Sequence, residues 1–201
     1  MVKIIIGGLV GAVIAFVWSL ISWSVLPWHE YAINPFRNED FVRWVIKENA
    51  PVDGVYIAPL IKKTGAEQTP EEIEETLEKQ SAAMKKGPFI YAQVRLSGID
   101  SKHPLPYIYT FLTQFVGAAL ICALLMQAHD LRYFGRVLFV AGMGLIVGIL
   151  GHLPSGIWLG AGFLYPAIMV ADLLVTWLLA GFFLATFVTK PPELDHRELL
   201  M

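Results

Sequence analysis

The sequence predicts a membrane all-α bundle of four transmembrane helices, with a small α+β extracytoplasmic domain inserted between helices 1 and 2. Three observations predict this fold class. Hydrophobic residues make up 56% of the 201 residues and charged residues only 16%, whereas soluble domains carry about a quarter charged residues. Apolar runs long enough to cross a bilayer recur along the chain. Of the 32 charged side chains, 15 basic and 17 acidic, 22 fall between residues 27 and 103.

The bulk composition also excludes several classes of function. A net charge of -2 and an isoelectric point near 6.2 provide no basic surface for nucleic acid. The single cysteine, Cys122, excludes an intramolecular disulfide and CxxC chemistry. No nucleophile elbow, zinc-protease motif, phosphate loop or paired-carboxylate pattern occurs in the sequence. This scarcity of catalytic motifs favours a non-enzymatic protein, although an enzyme remains an alternative.

Residues 1–26 are predicted to form transmembrane helix 1. The run Ile4–Leu26 contains no ionisable residue and would rise about 35 Å as a helix, enough to cross a bilayer core of about 30 Å. It lacks a cleavage site for a signal peptidase, so we expect an uncleaved anchor. Gly7, Gly11 and Ala15 recur every four residues, a spacing that lets a neighbouring helix approach closely. Pro27 then ends the helix at the membrane boundary.

Residues 27–104 are predicted to form the extracytoplasmic domain. Periodicity predicts a helix at 39–49 and strands at 55–60 and 89–97. Thr69 and Glu72 form a capping box that predicts a helix over 70–86. The two strands fit either a parallel βαβ crossover or an antiparallel pair. Because a two-stranded sheet is unstable alone, this domain is expected to provide a docking surface.

Residues 105–201 are predicted to hold helices 2 to 4, a cytoplasmic loop at 129–136 and a cytoplasmic C-terminal tail. The second span covers 105–127. The apolar tract 137–188 has 52 residues, which would extend about 78 Å as one helix, so we expect two crossings with a turn near 153–156. The third span is rich in glycine, and its row of Gly144 and Gly148 is predicted to pack against another helix.

The short charged segments predict the orientation. Lys3, the loop with Arg132 and Arg136, and the tail with Lys190 and Arg197 are positive, and positive short segments stay cytoplasmic. Both termini should therefore be cytoplasmic and residues 27–104 extracytoplasmic, in the plasma (inner) membrane.

One acid lies within a predicted span. Asp172 is about 14 Å from the outer end of its helix, where an unpaired charge costs about 2.5–3.5 kcal/mol, so it should face the bundle. Similar depths predict an intramembrane polar layer of Asp172, Ser19, Thr113, Gln114 and Thr176. The layer is either a proton or substrate relay or a set of hydrogen bonds that holds the helices in register. No second ionisable residue is expected at this depth, which favours the structural role.

A second group of candidates lies at the predicted outer boundary and comprises His29, Glu30, His103 and His152. Converging imidazoles could bind a transition metal or ligate a haem iron. However, no HxxxH spacing supports that chemistry, and boundary histidines that contact water or backbone are the alternative. The cofactor, haem or metal, is therefore unknown.

The sequence thus predicts a subunit, accessory or assembly factor of a membrane complex that acts through its extracytoplasmic domain. The expected partners are the lipid bilayer and a protein partner or a homo-oligomer. A small proton-coupled carrier that uses the layer around Asp172 is the alternative, and a haem or metal protein that uses the outer histidines is a further one.

Overall fold

The computed structural model describes residues 1–61, 69–128 and 130–188. The fold is mostly helical, with one two-stranded sheet. In chain order the elements are α1 (Val2–Ser24), α2 (Glu39–Asn49), β1 (Gly54–Ala58), α3 (Pro70–Lys86), β2 (Ile90–Val94), α4 (Pro104–Gln127), α5 (Tyr133–Trp158) and α6 (Leu164–Phe187), with a short 3-10 helix at Glu30–Ala32.

Four helices, α1, α4, α5 and α6, are long and apolar enough to cross a membrane. Each has a mean hydropathy of at least 2.0 over its most apolar window, and large apolar side chains such as Leu9, Leu120, Leu138 and Phe183 are exposed on them. Exposed apolar helix surface of this extent is what a bilayer solvates. The prediction of a mostly helical fold with four candidate membrane spans is confirmed.

Helix α1 packs closely on α4 through its small residues. A Cβ added at Gly8 would lie 3.0 Å from the Cβ of Ala119, and one at Gly11 would lie 2.9 Å from the Cβ of Ala118. The opposing helix therefore occupies the space that a side chain would need. The predicted role of the glycine spacing in α1 is confirmed.

Glycines also bring α5 and α6 together. A Cβ at Gly144 would lie 2.5 Å from Trp177 Cδ1, and one at Gly148 would lie 3.0 Å from the Cα of Val170. From the other side, Gly181 of α6 faces Val137 and Val140. The predicted packing row at Gly144 and Gly148 is confirmed. Trp177 also belongs to the buried cluster, which includes Cys122, Leu125 and Leu184.

The end of the third span differs from the prediction. Helix α5 continues through Pro154 to Trp158 instead of turning at 153–156. Proline removes only one hydrogen bond, and near the last turn of a membrane helix this loss is tolerated. The turn lies instead at 159–163, where Gly160 and Gly162 have φ of 74° and 67°, values that favour glycine.

The chain divides into two compact units. Unit 1 comprises residues 1–33, 101–153 and the chain from 164 on, and unit 2 comprises 34–100 with 154–163. The predicted domain 27–104 therefore differs from unit 2 at both of its ends and also lacks the segment 154–163. The final residues of α5 belong to unit 2.

The sheet of unit 2 is antiparallel, so the βαβ alternative is wrong. Gly54 pairs with Val94 and Ala58 with Ile90. Both strands are shorter than predicted. Pro59 cannot donate to the ladder and ends β1, while the amide of Leu96 donates to Asp53 Oδ1 at 2.8 Å instead of to a strand.

The two helices of unit 2 begin and end where the sequence predicts. Asn38 caps α2, since its Oδ1 accepts from the amide of Phe41 at 3.0 Å. In α3 the capping box is complete: Thr69 Oγ1 accepts from the Glu72 amide and Glu72 Oε2 accepts from the Thr69 amide. Lys79 Nζ lies 2.6 Å from Glu75 Oε1, and its hydrogen bond and charge lower the pKa of Glu75.

Two predicted features lie outside the described residues. They are His129 at the start of the loop 129–136 and the C-terminal tail beyond residue 188, which contains Lys190 and Arg197.

Candidate functional site

The side chain of Asp172 meets α1 inside unit 1. Its Oδ1 accepts two hydrogen bonds, one from Trp18 Nε1 at 2.7 Å and one from Ser22 Oγ at 2.8 Å. Trp18 and Ser22 lie four residues apart, on one face of α1. The carboxylate is only 13% exposed, so these two donors replace most of its contact with the surroundings. Asp172 therefore faces the bundle, as predicted.

His29 lies on the other side of the same carboxylate. Its Nε2 is 3.6 Å from Asp172 Oδ2, and its side chain is 3% exposed. Among the residues that the structure describes, neither imidazole nitrogen has a hydrogen-bond partner. The ring stacks on Trp23, with centroids 3.9 Å apart and planes 20° apart, and it meets Trp28 edge to face. The expectation that Asp172 has no ionisable partner at its depth is wrong.

The chain after Pro27 brings His29 to this position. The amide of Glu30 donates to the Pro27 carbonyl at 3.0 Å, which starts the 3-10 helix Glu30–Ala32. That helix packs against α6. Trp28 Nε1 also donates to Ser22 Oγ at 3.1 Å, so Ser22 links Trp28 to Asp172. His29 is thus buried in unit 1, whereas linear counting beyond Pro27 predicts it at the outer boundary.

The other residues of the predicted polar layer divide into separate groups. Gln114 Nε2 donates to Ser19 Oγ at 2.9 Å, a hydrogen bond between α4 and α1. The structure does not join this pair to Asp172 by any hydrogen bond it describes. Thr176 Oγ1 donates to the backbone carbonyl of Asp172. Thr113 is exposed and donates to the carbonyl of Thr110 in its own helix, so the structure does not bring it into the site.

The remaining outer-boundary candidates are dispersed. Glu30 and His103 are exposed, and His103 Nδ1 accepts from the Leu105 amide at the start of α4. His152 is half-buried in α5. Within the described part of the chain, no group of three or more His, Cys, Asp or Glu side chains could hold a metal ion. The geometry therefore gives the predicted convergence of histidines no support.

Sequence reasoning missed four members of the site: Trp18, Ser22, Trp23 and Trp28. A usable signal existed for two of them, because Trp18 and Ser22 share a helix face and lie at a depth similar to that of Asp172. No local pattern indicates that Trp28 folds back onto α1 and His29 onto α6, since these contacts depend on the path of the chain after Pro27.

The arrangement can bind or transfer a proton. One oxygen of the Asp172 carboxylate accepts two hydrogen bonds. The imidazole of His29 lies within ion-pair distance of the other oxygen. The indole of Trp18 donates to the carboxylate, and the indole of Trp23 stacks on the imidazole.

Comparison with known proteins gives no further assignment. No protein-family model matches the chain, and no curated protein or solved structure matches it significantly.

Proposed function

We propose that this protein is a non-enzymatic integral membrane protein that serves as a subunit, accessory or assembly factor of a membrane complex and binds its partner through unit 2. One observation carries the proposal. Among the described residues of unit 2, Ala50 is the only buried one. A small unit with so little buried surface gains little from hydrophobic burial. A partner would supply the missing burial.

The apolar side chains of unit 2 support a protein partner. Trp44 and Val55 are 58% and 59% exposed, on α2 and β1 respectively. In the part of the chain that the structure describes, β1 and β2 pair only with each other, so each has a free edge. Exposed apolar side chains beside free strand edges are typical of surfaces that add a strand or a helix from another chain.

The proposal includes a location. The protein lies in the plasma membrane with both termini cytoplasmic and residues 27–104 extracytoplasmic. The distribution of positive charge over the short segments supports this orientation, with Lys3 before α1 and Arg132 and Arg136 between α4 and α5.

Site-specific photo-cross-linking in the native host tests the docking proposal. A photoreactive amino acid at Val55 should give one discrete cross-linked product, which mass spectrometry identifies as a second copy or as another chain. The same amino acid at Glu74, an exposed residue of α3, is the control and should give much less. Equal and weak labelling at both positions, together with purification as a lone monomer in mild detergent, would contradict the proposal.

A proton-coupled carrier is a second candidate, and the contact between His29 and Asp172 favours it. Reconstituted full-length protein should then move protons across liposomes that contain a pH-sensitive dye, and Asp172→Asn should abolish the flux. Equal flux in both proteins would rule out a relay through Asp172.

A further inference from the structure

We propose that His29 and Asp172 form a proton-binding site in unit 1, in which one proton taken from water resides on the imidazole of His29 and pairs it with the carboxylate of Asp172. The site does not depend on the proposed docking function, because every residue in it belongs to unit 1.

The burial of His29 carries the first step. A neutral imidazole has one N–H donor and one acceptor, and in the described structure both of its nitrogens are buried without a hydrogen-bond partner. Buried polar groups are normally paired. The neutral ring can donate to Asp172 only when its one hydrogen is on the nitrogen that faces it. An added proton places a hydrogen on both nitrogens and gives the ring a positive charge, so the 3.6 Å contact becomes an ion pair that can shorten.

The carboxylate is arranged for this role. Two donors already occupy Oδ1, so Oδ2 is the acceptor available to His29. Hydrogen bonds from Trp18 and Ser22 suit an ionised carboxylate, because that form only accepts. The added proton therefore belongs on the imidazole, and the pair as a whole is then neutral.

The surrounding side chains favour a cation at His29. The indole of Trp23 stacks on the ring at 3.9 Å, and a cation over an indole face is stabilised by the ring quadrupole. Asp172 is the only charged residue in the sequence of α6, and the only one in α1 is Lys3 at the opposite end. Glu30 and Tyr31, which follow His29, are exposed. Asp172 is the charged residue that lies within ion-pair distance of His29.

The proton has a structural consequence. Residue 29 belongs to the segment that leaves α1, and the following 3-10 helix packs against α6. Proton binding therefore strengthens the attachment of this segment to α6, and proton loss weakens it.

Nuclear magnetic resonance of the full-length protein in lipid nanodiscs, with 15N-labelled histidine side chains, tests the site directly. The signal of His29 is the one lost in His29→Gln. Between pH 8.5 and pH 5 this signal should convert to the imidazolium form. In Asp172→Asn, the ratio of charged to neutral His29 at a given pH should fall, because the carboxylate that pairs with the imidazolium is gone. His103→Asn, which replaces an exposed histidine and keeps a capping side chain, is the control and should leave the ratio unchanged.

Two results would overturn the proposal: a His29 that stays neutral down to pH 5 in the wild type, or an unchanged ratio in Asp172→Asn. The first result is measured on the wild type, after His29→Gln has identified the signal. A double-mutant cycle of His29→Gln and Asp172→Asn provides a second measurement. The two thermal-midpoint changes should be non-additive at pH 5.5 and additive at pH 8.5, whereas additivity at both values would contradict the site.

Discussion

Ser22 links α1, the segment after Pro27 and α6 through two hydrogen bonds. It has no exposed surface, donates to Asp172 Oδ1 and accepts from Trp28 Nε1. Removing its hydroxyl leaves the half-buried indole N–H of Trp28 without its acceptor and takes one donor from the carboxylate. We expect Ser22→Ala to lower the free energy of unfolding by about 1–2 kcal/mol, measured by unfolding in mixed micelles.

Ser24→Ala is the matched control for this change. Ser24 is exposed at the end of the same helix, so its replacement should change the free energy of unfolding by less than about 0.5 kcal/mol. If the two alanine variants were equally stable, the hydrogen bonds of Ser22 would not contribute to the fold.

At this scale the sequence identifies the central acid but not its neighbours. Asp172 is conspicuous because a carboxylate in a long apolar run must be satisfied by the protein. Its hydrogen-bond donor Ser22 lies 150 residues away in the sequence, and His29 is almost as distant. Counting residues along each helix gives the depth of a side chain and places Ser19 beside Asp172. It does not give the rotation of α1 about its own axis, which directs Ser22 to Asp172 and Ser19 to Gln114.

Among the elements, the contact between α5 and α6 depends on the absence of a side chain at one position. A Cβ at Gly144 would lie 2.7 Å from both the carbonyl oxygen of Leu173 and the Cβ of Trp177. Because backbone cannot move as easily as a flexible side-chain end, the helices must separate. Gly144→Ala should therefore destabilise the protein by about 1–3 kcal/mol, measured by thermal unfolding in detergent.

Gly142→Ala gives the control on the same helix. A Cβ there meets no atom of the described residues within 4 Å, and alanine favours a helix over glycine. This variant should be at least as stable as the wild type. Equal destabilisation by both substitutions would show that the close approach at Gly144 is unimportant.

The elements themselves were largely predictable. Capping residues determine the residue at which α2 and α3 begin, because the side chains of Asn38 and Thr69 accept from the first free amides of each helix. The direction of the strand pair and the end of α5 were not predictable. Strand direction depends on how the chain returns after α3, and Pro154 gives the same local signal in a turn as in the last turns of a helix.

For the whole molecule, the charge distribution predicts which segments face the outside of the cell. A protease recognition sequence inserted after Gly98, a turn residue with φ of 71°, should be cut by protease added to intact cells. The same insertion after Asp130, between α4 and α5, should be cut only after the membrane is opened. The reverse pattern would invert the proposed orientation.

The class of the whole molecule follows from composition, but its division into units does not. Four apolar runs predict four candidate spans, since a helix satisfies its backbone hydrogen bonds within its own segment in a bilayer. The assignment of residues 154–163 to the unit of 34–100 depends on contacts across more than 50 residues. The periodicity of apolar residues within either segment does not indicate a contact with the other segment.

The close packing of α1 against α4 also determines whether Cys122 interferes with site-specific labelling for spectroscopy. Cys122 has no exposed surface, and the gap above it at Gly7 is so narrow that an added Cβ would lie 2.7 Å from its sulfur. Thiol reagents consequently have no route to the one native cysteine while the helices stay together. Spin labels or fluorophores can thus be attached to engineered cysteines without first replacing Cys122, and delayed reaction of that native thiol would itself time the separation of α1 from α4.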